Sequence, residues 1–66
     1  MTSDALINAA LLHFEAMKAR AEANLDVFLT GYAGVGEHPD IVEEVIKLTK
    51  TIVEAEEAIK FLEQKL

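Results

Sequence analysis

Three potential metal ligands crowd the middle of the chain: Glu37, His38 and Asp40. A cation needs more than this. Calcium takes six to eight oxygens, and zinc takes a tetrahedral set of nitrogen, sulfur or oxygen ligands. Such a cluster is an ordinary surface feature, and no metal is expected here. His13 and Glu15 form an H-x-E pair, but positions two apart on a helix point to different faces. A zinc protease helix needs H-E-x-x-H instead. Lys18 falls in an apolar row between Phe14 and Ala21. It reads either as a buried reactive amine or as a packed stem with its ammonium in water, and the second is the expectation. The chain has one Ser, Ser3, and no Cys. No Ser/His/Asp or Cys/His set can be assembled, so no catalytic residue and no cofactor is expected.

The other candidate for chemistry is the segment from Gly31 to Pro39, which holds all three glycines of the chain. Gly-rich loops ahead of helices can cradle phosphate. Here no strand precedes the loop and no Lys follows it as a P-loop requires. Glu37 and Asp40 stand where an anion would sit. The glycines read as a chain reversal, with Tyr32 and Val35 folded over the end of the helices.

Two helices flank this turn. The first is expected over about residues 4–30, with Ser3 as N-cap, Asp4 at the positive end of the dipole and Gly31 as the stop. The turn takes 31–38. The second helix is expected over about 39–65, with Pro39 at the first helical position and Lys65 in the last turn. Two rods of similar length joined by a short turn make an antiparallel αα-hairpin. In the second helix, Ile41, Val45, Leu48, Ile52, Ala55, Ile59, Leu62 and Leu66 alternate in steps of four and three. That spacing is an unbroken heptad seam. Glu43–Lys47 and Glu56–Lys60 have the favoured i, i+4 order for ion pairs.

The first helix carries two apolar stripes. Ile7, Leu11, Phe14, Ala21, Leu25 and Phe28 form the large-residue seam that faces the second helix. Ala9, Leu12, Ala16, Ala19, Ala23 and Val27, with Ala5 ahead of them, lie on the other side. A helix in a solitary hairpin needs one apolar face. The second stripe predicts a second subunit packed against it, and two hairpins together make a homodimeric four-helix bundle.

Size points the same way. The chain has 66 residues, 52% hydrophobic, and a mean hydropathy of +0.20. A domain this small buries only about 60% of the surface its unfolded chain exposes. It cannot be held by disulfides, since it has no Cys, so oligomerisation is the expected reinforcement. Twelve acids against six bases give a net charge of −6. That balance disfavours nucleic-acid binding and a polybasic membrane-surface role. No apolar run approaches a membrane span, and the start Met-Thr-Ser-Asp lacks a basic signal-peptide region. A cytoplasmic protein is the expectation.

The segments H-F-E-A-M-K-A-R-A-E-A-N-L-D-V at 13–27 and G-V-G-E-H-P-D-I-V-E-E-V at 34–45 resemble small accessory proteins of tailed phages. That resemblance covers most of the chain and implies a protein working in the cytoplasm of an infected host, with no activity or site carried over. In architecture the chain also resembles the Rop-type dimeric hairpin. The basic face that such hairpins use for RNA is not matched, since only Lys18 and Arg20 lie near one another. The expected function is protein–protein interaction by an acidic helical hairpin, such as binding or inhibiting a host protein. The alternative is a structural component of a larger particle.

Overall fold

In the computed structural model the described residues are 3–31 and 40–66. They form two helices and no strand: α1, Ser3–Gly31, and α2, Ile41–Glu63. α1 has 29 residues and α2 has 23. The helices pack against each other as an antiparallel hairpin, a rod of 49 × 16 × 15 Å. Its radius of gyration is 15.2 Å, against about 11 Å for a compact domain of this length. A two-helix rod is one layer thick and has no interior to speak of.

Several boundaries differ from the sequence expectation. Ser3 is already helical. α1 ends at Gly31, within one residue of the expected stop, and Gly31 does not have a positive φ. The start of α2 is set by Asp40 rather than Pro39. Asp40 is extended, at φ −150° and ψ 92°, and its carboxylate accepts a hydrogen bond from the Glu43 amide at 2.9 Å. This satisfies one of the orphan N–H groups of the first turn and places a negative charge at the positive end of the dipole. Pro39, Tyr32, Val35 and the glycines at 34 and 36 lie outside the described residues. At the far end α2 unwinds through tighter bonds, with Lys65 N–H donating to Leu62 O at 2.9 Å. Lys65 therefore lies past the last helical turn, whose cation is Lys60.

The heptad positions of both helices meet along one line. Leu11, Ala21 and Ala55 are the buried residues among those described. Ile7, Phe14, Leu25 and Phe28 of α1 are half-buried, as are Ile41, Val45, Leu48, Ile52, Ile59 and Leu62 of α2. Ala55 has no exposed surface at all. Small side chains let two helix backbones approach closely, so the tightest contact falls where the seam is narrowest. Leu66, the last step of the α2 pattern, lies beyond the helix and is exposed.

Lys18 occupies the one charged position in the α1 seam. Its ammonium reaches Glu56 Oε2 at 3.2 Å. Glu56 thus pairs across the hairpin rather than with Lys60 along α2. Lys47 turns to Glu44, at 3.9 Å and i, i+3, rather than to Glu43.

Candidate interaction surface

The described residues are arranged mostly on the surface of the two helices. No polar or charged side chain among them is buried. No group of three or more metal-binding side chains occurs among the described residues. Of the Glu37, His38 and Asp40 set, the first two lie outside them. None of the described helices is long and apolar enough to cross a membrane.

Among the described residues, a groove lies on α1. It has a volume of about 380 Å³ and is lined by His13, Ala16, Met17 and Arg20. These are positions i, i+3, i+4 and i+7 of one helix. Four such residues bound the hole that receives a side chain from a packed neighbouring helix. The spacing of its lining residues is that of a hole on a helix surface. His13 is set edge-on to Phe14, with ring centroids 5.0 Å apart and an interplanar angle of 80°.

The outer face of α1 contains the groove's Ala16. Ala9, Leu12, Ala16, Ala19, Ala23 and Val27 are all exposed. Leu12 retains 66% of its surface and Val27 52%. At 100° per residue this stripe lies roughly 180° from the α2-facing seam. Polar strips separate the two: Asp4, Asn8, Glu15, Glu22 and Asp26 on one side, His13, Arg20 and Asn24 on the other. α1 is therefore apolar on opposite faces, and α2 covers one of them.

α2 also leaves apolar side chains outside the seam. Val42, Ile46 and Val53 widen its apolar face, yet α1 does not cover them, and all are exposed. Thr49 falls between Ile46 and Val53 in the same row, and its hydroxyl donates to Val45 O at 2.7 Å. With its polar atom turned back to its own helix, Thr49 presents a methyl group to this row. The heptad pattern alone directs attention to the seam. The sequence shows Val42, Ile46 and Val53 as a widening of the apolar face; Thr49 completes their spacing as a row of its own.

No known protein family, curated protein or solved structure matches the chain. Function must be argued from the surface itself.

Proposed function

We propose that this chain is an interaction module that assembles with itself and, through the assembled surface, with a protein partner. The observation that carries this reading is the outer apolar face of α1, diametrically opposite the hairpin seam. Leu12 and Val27 lie in it, and burying one such side chain is worth about 1.5–3 kcal/mol. The Ala residues between them let a second α1 approach closely. A monomer with only three buried residues among those described has little else to hold it.

Because the two faces of α1 are opposed, two hairpins joined there form a four-helix homodimer in one layer, with the α1 pair at its centre. A square bundle would need faces about 90° apart. Glu15 and Arg20 flank the stripe on opposite sides, five positions apart. In a parallel pair this offset brings Glu15 of one copy to Arg20 of the other, twice. Neither side chain makes an ion pair with a described residue of its own chain.

The net charge of −6 suits a partner with a basic surface, including one that ordinarily binds nucleic acid. A phage accessory factor acting on a host protein in the host cytoplasm fits this description, and so does a small assembly component of a larger particle. Equilibrium sedimentation tests the self-association: a dimer or larger species at micromolar concentration is expected, and a folded 7 kDa monomer would refute it. Affinity capture from an infected host separates the partners. One dominant host protein supports the accessory factor, and co-purifying particle components support the structural role.

A further inference from the structure

We infer that the exposed row Val42, Ile46, Thr49 and Val53 of α2 is a second self-docking surface, and that it pairs antiparallel with the same row of another copy. The row is distinct from the outer face of α1 and lies on the other helix. Its members step by four, three and four, the spacing of a heptad seam. Val42, Ile46 and Val53 keep between 41% and 69% of their surface exposed in the hairpin. The Thr49 hydroxyl is already bonded to Val45 O, so the row can be buried without stranding a donor.

The occupant and its direction follow from the flanking charges. On the outer side of the row lie Glu43, Lys50 and Glu57. Neither Glu43 nor Lys50 makes an ion pair with a described residue of its own chain. On the inner side lie Val45 and Ile52, which belong to the hairpin seam. An antiparallel pair sets Val42 level with Val53 of the second copy, and Ile46 level with Thr49. Glu43 then falls within about 3 Å along the axis of the second copy's Lys50, and the symmetry repeats the pair. A parallel pair instead brings Lys50 to Val45 and Glu57 to Ile52, placing charge against apolar side chains with no ion pair gained. The row is self-complementary in one direction only. Such flanking charges fix orientation more than affinity. The contact is also short, about 17 Å of helix, so it is weaker than the α1 face.

The chain has no cysteine, so engineered disulfides report this contact without background. The experiment uses full-length Val42→Cys and Val53→Cys, alone and mixed, oxidised at about 100 μM. Helicity checks that each variant folds. The expected result is rapid formation of the mixed 42–53 disulfide, several-fold above the 42–42 and 53–53 products. Enrichment of the like-with-like disulfides would overturn the antiparallel pairing. Cross-linking no faster than a Glu54→Cys control, placed off the row, would overturn the docking surface itself. A charge exchange gives an independent reading: Lys50→Glu slows the mixed cross-link, and adding Glu43→Lys restores it. Failure of the double variant to recover, with helicity intact, would remove the ion pair from the argument. Repeating the oxidation in an Ala19→Glu background keeps this result separate from the α1 face, because the 42–53 product is expected to persist there.

Discussion

Lys18 Nζ and Glu56 Oε2 lie 3.2 Å apart and tie the middle of α1 to the middle of α2. This contact fixes the register of the hairpin. In an antiparallel pair residue 18 is level with residue 56, which brings Ala21 and Ala55 within about 3 Å of each other along the axis. The two most deeply buried side chains therefore flank the one interhelical ion pair among the described residues. The pair is partly exposed, with Glu56 about half open to solvent, so its net worth lies in the range of about 0–1 kcal/mol. Its larger effect is on specificity. A charged residue at a seam position penalises registers that leave it facing apolar side chains.

Lys18→Leu should therefore stabilise the hairpin while loosening its register. It removes a weak ion pair and adds apolar burial at a seam position, a gain of about 1–2 kcal/mol. For a domain of this size that is a rise in melting temperature of roughly 4–15 °C. Thermal unfolding followed by circular dichroism checks it. A lower melting temperature would mean that the ion pair outweighs the packing.

Asp40→Ala should destabilise α2 from its first turn. The variant loses the hydrogen bond from the Glu43 amide and the favourable charge at the helix start. Such a cap is worth about 0.5–2 kcal/mol. Asp40→Asn should keep most of the stability, since the amide oxygen can still accept the bond. A denaturant midpoint equal to wild type for the Ala variant would show that the cap is not needed.

The two helices and their seams were legible because heptad spacing is a direct image of helix geometry. Ile41 to Leu62 and Ile7 to Phe28 required no tertiary information. The ends were less legible. Gly31 reads as a stop and is the last residue of α1, but the sequence does not show that it lacks the left-handed conformation common at such stops. Pro39 reads as a first helical residue, yet Asp40 competes for the cap with an Asp-x-x-Glu pattern and takes it. Ion pairs were misread for a different reason. Local i, i+4 spacing proposed Glu56–Lys60, while the tertiary fold offered Glu56 a cation from the other helix. Of the interaction surface, the outer stripe of α1 was legible as a pattern, and Val42, Ile46 and Val53 were legible as a widening of the α2 apolar face; that α1 leaves them exposed was not.

Ala55→Leu should be strongly destabilising although it adds apolar volume. Ala55 is fully buried in the seam between the helices. Overpacking there costs about 1–3 kcal/mol, against a total of roughly 3–5 kcal/mol for a core this small. Val53→Leu, on the exposed row, changes hydrophobic bulk by a similar type of side chain and should move the melting temperature by only a few degrees. Equal effects at the two positions would place the narrowest contact elsewhere.

Ala19→Glu distinguishes a packed outer face of α1 from a merely solvated one. Ala19 is exposed in the hairpin and lies midway along the Ala9–Val27 stripe. If the stripe is bare in solution, Glu replaces Ala at the cost of a small difference in helix propensity, well under 1 kcal/mol. The seam on the opposite side of α1 does not sense the change, so helicity at high concentration is retained in either case. If a second α1 packs there, the new side chain enters a close small-residue contact and brings a charge with it. Both copies carry the change, so the penalty of about 1–3 kcal/mol for overpacking is applied twice across the two-fold interface. The expected outcome is a drop in the association constant of about 30-fold or more, together with a melting temperature shifted below that of the wild type. Sedimentation equilibrium of the variant beside wild type, over a range from about 1 to 100 μM, measures it. An unchanged association constant would show that the hairpin does not use this face, and would leave the α2 row as the surface through which copies meet.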